Sequence, residues 1–201
     1  MKGYKCNSII LEGQDLLGKS LQTRRLAQHF QSLGLRVAQI KSPYNDNLSF
    51  KLIYWMLGNG LARKYPNLFQ FIHFYNKFFF ELFILPSILK NNDVIIFDRW
   101  SISMWAYGVT DGASETLTRW MLNCISEPDY TILFDGLRFT REQTNDSYES
   151  DTKYQSKVRS MYLSWALSHD CMHVSIVNAN QSVEDVTKDI ISKLKQKGII
   201  S

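Results

Sequence analysis

Residues 13 to 20 read Gly13-Gln14-Asp15-Leu16-Leu17-Gly18-Lys19-Ser20, a complete G-x-x-x-x-G-K-S. The run follows the apolar stretch Ser8-Ile9-Ile10-Leu11 and opens a segment with helical spacing, so it predicts a strand, a tight loop and a helix. Glycines in such a loop let backbone N–H groups curl around phosphate oxygens, and the helix N-terminus adds a favourable dipole. Lys19 can then reach the β- and γ-phosphates of a nucleotide, and the Ser20 hydroxyl can ligate Mg²⁺. A chain that begins this way is committed to an α/β nucleotide-binding architecture.

The rest of the chain repeats the pattern. Apolar runs from Ser8 to Leu11, Val37 to Ile40, Val94 to Phe97, Thr131 to Phe134 and His173 to Val177 read as strands buried on both faces. Helical spacing runs from Lys19 to Leu33, Leu48 to Leu57, Leu68 to Leu89, Glu115 to Cys124, Tyr154 to Leu167 and Val183 to Leu194. Strands alternating with helices predict a three-layer P-loop NTPase fold, a five-stranded parallel sheet covered on both faces. One domain over residues 1–201 accounts for the length, with no linker or repeat to divide it. The polar stretch around 138–153 reads as a short lid. In such sheets the ligand lies beyond the carboxyl ends of the strands.

Composition narrows the class. The formal net charge of +4 suits phosphate ligands and falls short of a patch built for a nucleic acid polymer. Cys6, Cys124 and Cys171 show no disulfide or zinc spacing, which fits a cytoplasmic protein. His169, Cys171 and His173 alternate but lack a fourth ligand. The residues from Met1 to Ser8 lack the basic and apolar regions of a signal peptide, which leads us to expect a protein that stays in the cytoplasm, and the phenylalanine-rich stretch from Phe69 to Leu89 is interrupted by Gln70, His73, Asn76, Lys77, Glu81 and Pro86. That stretch predicts a buried helix beside a pocket, and no membrane partner.

The P-loop alone does not separate a kinase from an ATPase, a GTPase or a partitioning protein. No N-K-x-D base-reading segment is present, which argues against a GTPase. After the third strand stands Asp98-Arg99, where an acid near Mg²⁺ and an Arg clamping an acceptor phosphate would serve phosphoryl transfer. The same dipeptide on a surface would be an ordinary ion pair.

Four ordered motifs now resemble the thymidylate kinase family. Glu12-Gly13-Gln14-Asp15 through Lys19-Ser20 is similar to its E-G-x-D-x-x-G-K-[ST], and Asp98-Arg99-Trp100 with Ser103 and Ala106-Tyr107 to its D-R-Y-x-x-S-x-x-A-Y. Asp146-Ser147-Tyr148-Glu149, then Val158-Arg159 and Tyr162, resembles D-R-[FY]-E followed by V-R-x-x-Y. Val177-Asn178-Ala179-Asn180-Gln181-Ser182 with Val186 resembles the loop after the last strand. The resemblance implies ATP-dependent phosphorylation of a deoxynucleoside monophosphate, dTMP or a related pyrimidine, with Mg²⁺, in a homodimer. A deoxynucleoside kinase and a nucleotide-binding module with a degenerate acceptor site are the rival readings.

It also implies roles. Lys19 and the P-loop would hold the ATP phosphates, and Ser20 with Asp98 the metal. Asp15 would approach the acceptor sugar and Arg99 its phosphate. Pro43, Asn76, Ser103, Tyr107, Tyr148 and Glu149 would line the acceptor side, though Tyr107 and Tyr148 are equally placed to be packing aromatics. Asn180 and Gln181 would flank the adenine.

Departures gather on the acceptor side. His73 and Lys77 stand where the family has a stacking Phe and an Arg, and Gly108 where many members place Gln. Leu16 and Ser147 occupy both positions at which the family carries a catalytic Arg, leaving Arg138 and Arg141 as candidates. Either could instead be a solvated surface charge.

Overall fold

The computed structural model describes residues 6–45, 47–139, 152–168 and 173–200. Strands β1 (Asn7–Gly13), β2 (Val37–Lys41), β3 (Val94–Asp98), β4 (Tyr130–Asp135) and β5 (Val174–Asn178) form one sheet. Its order is β2-β3-β1-β4-β5, and every neighbouring pair is parallel. The register sets Leu11 opposite Asp98 and Gly13 opposite Phe134, so the loops after β1, β3 and β4 emerge side by side.

Helices cover both faces. They are α1 (Lys19–Ser32), α2 (Leu48–Gly58), α3 (Leu61–Lys64), α4 (Pro66–Phe83), α5 (Leu85–Asn91), α6 (Ser101–Thr110), α7 (Glu115–Asn123), α8 (Thr152–Ser168) and α9 (Val183–Gln196). Because side chains alternate along a strand, Ile9 and Leu11 pack with Leu26, Phe30 and Ile190 on one face. Ile10, Ile95 and Phe97 pack with Phe80, Leu85 and Leu89 on the other. Three central strands are therefore buried on both faces, as the apolar runs predict. The two edge strands are not: Gln39 and Lys41 of β2 and Ile176 of β5 are exposed.

Helix starts follow local chemistry. Asn47, Ser114 and Ser182 each accept a backbone N–H of the first turn they cap. The long helix expected from Leu68 to Leu89 is instead two. It breaks at Ile84, and Pro86, which has no N–H to donate, sits in the first turn of α5. Helices α3 and α6 were not apparent in the sequence; α6 directly follows the Asp98-Arg99 turn and brings Ser103 and Tyr107 to the cavity. Among the described residues no helix is long and apolar enough to cross a membrane.

Candidate active site

The loop after β1 has the backbone its glycines foretold. Gly13 takes φ 134°, and a Cβ there would lie 2.5 Å from the carbonyl oxygen of Phe134 on the neighbouring strand. Gly18, at φ 78°, turns the chain into α1. Between them Leu16 adopts φ 61°, a left-handed conformation uncommon for a branched side chain and one that marks a loop fixed by its surroundings. Lys19 lies buried over this loop with its ammonium on the carbonyl of Gln14. Burial and the neighbouring Arg99 push its pKa down to about 7. The Gln14 side chain points elsewhere, donating to the Gln155 carbonyl at 2.5 Å. At the start of α1 the Ser20 hydroxyl donates to Asp98 Oδ2 at 2.5 Å, which joins the first motif to the second.

Asp98 ends β3, and Arg99 follows it at φ 69°, a second left-handed residue without glycine. Its strained backbone is pinned by its N–H on the Leu11 carbonyl at 3.0 Å. The guanidinium donates to the Gly13 carbonyl at 2.8 Å and the Tyr162 hydroxyl at 3.1 Å, and pairs with the Asp15 carboxylate. Tyr107 donates its hydroxyl to the other Asp15 oxygen at 2.6 Å. Burial alone would raise Asp15, but Arg99, Lys19 and the Tyr107 hydroxyl outweigh it and hold the carboxyl at about 2.

One carboxylate beneath this cluster stands in the first motif without a role assigned to it. Glu12 is fully buried, accepting from the backbone N–H of Trp100 at 2.7 Å and of Ser103 at 3.3 Å, and from the Tyr162 hydroxyl at 3.1 Å. Burial pushes its pKa up against the pull of Arg99 and those N–H groups. Its signal in the sequence was an acid inside an otherwise apolar strand, which only a network of partners can support. Glu12 fixes the turn that aims Arg99.

Between α4 and α6 lies a cavity of about 640 Å³ that opens onto the P-loop. Pro43, His73, Lys77, Ser103, Tyr107 and Arg99 all line it, together with P-loop residues. Lys77 is 2% exposed, with its ammonium 6.0 Å from the centre of the Trp100 ring. Burial pushes it down to about 8 against the attraction of Glu12. Burial, then the charge of Lys77, pushes His73 well below its usual value, so the imidazole is neutral.

Asn76 does not reach the cavity. It bonds the Tyr44 N–H at 2.8 Å, the Tyr44 carbonyl at 2.9 Å and Asn47 Oδ1 at 2.9 Å, so it positions the loop before α2. A helix turns i and i+1 about 100° apart, which is why Lys77 faces the cavity and Asn76 the loop.

On the lid side, Arg138 donates to the Asp15 carbonyl at 3.2 Å, and the Phe139 N–H to the Leu16 carbonyl at 2.9 Å. The Asn180 amide clamps the backbone of Leu137 through both its atoms, at 2.5 and 2.7 Å, and Gln181 donates to the Asn178 carbonyl at 3.3 Å. Arg141, Ser147, Tyr148, Glu149 and most of the expected lid lie outside the described residues, as do His169 and Cys171. Among the described residues no His, Cys, Asp and Glu side chains cluster as a metal site of three.

A P-loop with its Lys and Ser, an acid and an Arg at the neighbouring strand end, and a cavity lined by all four define a P-loop phosphotransferase. The sequence profile described as thymidylate kinase matches residues 11–190. A probable thymidylate kinase of Pyrococcus abyssi is 30% identical over 210 residues, spanning 98% of both chains. One of Pyrococcus horikoshii is 30% identical over 98% of both. Thymidylate kinase of Candida albicans superposes with a TM-score of 0.79 at 21% identity, over 98% of this chain and 95% of that one. The chain belongs to the thymidylate kinase family, the ATP-dependent nucleoside monophosphate kinases that convert dTMP to dTDP.

Proposed function

We propose that in this protein the γ-phosphoryl group of ATP passes to dTMP across the Asp15–Arg99–Tyr107 cluster. One observation carries the reading: Lys19 of the phosphate loop, Arg99, and His73 with Lys77 of α4 line one cavity, and Arg99 is hydrogen-bonded to the Gly13 carbonyl of that loop. Lys19 holds the β- and γ-phosphates, with the backbone of Gly13, Leu16, Leu17 and Gly18 around them. Arg99 clamps the acceptor phosphate and Asp15 with Tyr107 meets the sugar, where a ring against C2′ disfavours a ribonucleotide.

Ser20 and Asp98 fit Mg²⁺: a hydroxyl and a carboxylate 2.5 Å apart are hard oxygen donors beside the phosphate loop. When bound, the ion neutralises charge on the ATP phosphates. Asn180 and Gln181 bound the adenine side, and Asn180 does so by fixing Leu137. A lid arginine supplies positive charge to the transferring group. Arg141 takes that role better than Arg138, whose guanidinium is engaged with the P-loop backbone.

His73 and Lys77 address the base together, one helical turn apart. A neutral imidazole and an ammonium lack the planar fork of an Arg, which makes discrimination among pyrimidines looser. We place the protein in the cytoplasm, in keeping with its free Cys6 and Cys124. As a homodimer it would cover the exposed Phe71, Tyr75, Phe78 and Phe83 of α4.

Incubating the protein with ATP, Mg²⁺ and either dTMP or thymidine tests the assignment. Formation of dTDP from dTMP, with no dTMP formed from thymidine, is the expected result. Phosphorylation of thymidine would make it a nucleoside kinase, and turnover of neither a binding module.

A further inference from the structure

The polar groups around the cavity are mostly spent on one another. The Ser103 hydroxyl donates to the Trp100 carbonyl at 2.9 Å, and the Tyr107 hydroxyl is on Asp15. Gln70 differs. It is 2% exposed, it lines the cavity, and its Oε1 has no hydrogen-bond partner among the described residues. A buried amide left unsatisfied is costly, so a group at this place points to a ligand that completes it.

Its neighbour explains how the amide fits there. A Cβ added to Gly108 of α6 would fall 2.6 Å from Gln70 Cδ and 2.9 Å from its Nε2. Any side chain at 108 would therefore occupy the space that the Gln70 amide fills. The absent side chain on α6 and the long polar one on α4 are complementary, so the pocket's amide comes from α4. Gln70 also lies on the same face as His73 and Lys77, at i, i+3 and i+7. Lys77 sits at the end of that face nearer Arg99, whose charge it feels. Gln70 is roughly 10 Å further along the helix axis, where the base end of a nucleotide would lie.

We infer that Gln70 is a specificity-determining residue that reads the base edge of the acceptor, its Oε1 accepting the N3–H of a thymine- or uracil-type ring. The amide's donor end serves the adjacent carbonyl, so the pair matches the alternating donor and acceptor of an imide edge. Lys77 bears only donors and favours a carbonyl over the amino group of cytosine. This inference rests on the acceptor assignment made above and adds the chemical group that is read.

Calorimetric binding of dTMP and its N3-methyl analogue to wild type, Gln70→Ala and Gly108→Ala tests it, alongside the KM for ATP. Wild type should bind dTMP and reject the N3-methyl analogue by about a hundredfold or more, since the donor is lost and the acceptor left buried. Gln70→Ala should weaken dTMP about tenfold, accept the methylated base nearly as well, and leave the KM for ATP unchanged. Gly108→Ala, which displaces only the end of a flexible side chain, should shift selectivity the same way while circular dichroism stays native. If Gln70→Ala keeps the wild-type preference for N3–H, or if ATP suffers as much as dTMP, Gln70 does not read the base. If wild type binds dTMP yet forms no dTDP, the phosphorylation assignment fails while the reading of the base stands. Absence of any dTMP binding overturns this inference.

Discussion

On the assignment proposed above, the donor and acceptor halves of the cleft are held in different ways. Backbone builds the donor side. Gly13, Leu16 and Gly18 take left-handed or otherwise special conformations, Phe139 is hydrogen-bonded to Leu16, and Asn180 fixes Leu137, while few side chains choose the shape. The acceptor side is a meeting of side chains from four elements, with His73 and Lys77 from α4, Tyr107 from α6, Arg99 from the β3 turn and Pro43 from the loop after β2. A backbone cradle needs a fixed set of residue types at fixed spacing. A side-chain pocket depends on complementary partners across a gap, as where the Gln70 amide fills the space beside Gly108.

Removing a group from the donor side should give the largest loss. Lys19→Ala leaves no cation between the β- and γ-phosphates, so turnover should fall by about a thousandfold or more with the fold intact. Retention of activity within tenfold would break the donor assignment. Arg99→Ala tests the border between the halves: the KM for dTMP should rise and kcat fall, together costing on the order of several hundredfold in kcat/KM. If the KM for ATP moves instead, Arg99 belongs to the donor side.

The lid offers a finer contrast. Arg141→Ala should slow the chemical step by about a hundredfold with little change in binding, as for charge supplied in the transition state. Arg138→Ala, which removes a contact to the Asp15 backbone, should mainly loosen ATP binding, by roughly tenfold or less. The reverse pattern would exchange their roles.

Stability gives the smallest effect. Lys77 is depressed to about 8 in the folded chain, below its unfolded value near 10.4. The native state then resists binding this proton, so the penalty is complete below pH 8 and disappears as pH rises through about 10.4. Lys77→Met should raise the melting temperature of the free protein by on the order of 5 °C at pH 7, with the gain shrinking across that window. A gain that is flat with pH would mean that Lys77 is not buried as a charge.

What the sequence made legible follows the same division. The strand order of chemistry, the phosphate loop and the Asp98-Arg99 turn were readable because each depends on local residue types and on the apolar runs that carry them. The break at Ile84 was not, since apolar spacing continues through it and only Pro86 marks it. The contacts of Glu12, which its motif names without a role, and of Gln70 were hidden for another reason. Their importance comes from Trp100, Tyr162 and Gly108, distant in sequence, which the fold brings against them. Asn76 and Lys77 are neighbours in one motif, yet helix geometry sends them to different tasks.

The central claim is that a family-like donor side serves an acceptor pocket with relaxed base selection. Its most direct test is kcat/KM at saturating ATP and Mg²⁺ for dTMP, dUMP and dCMP, in wild type and in the double variant His73→Phe with Lys77→Arg. We predict that wild type phosphorylates dTMP, discriminates against dUMP by less than about a hundredfold, and gains preference for dTMP in the double variant. A wild-type preference beyond that limit, or a ratio unmoved by the double change, would contradict the account.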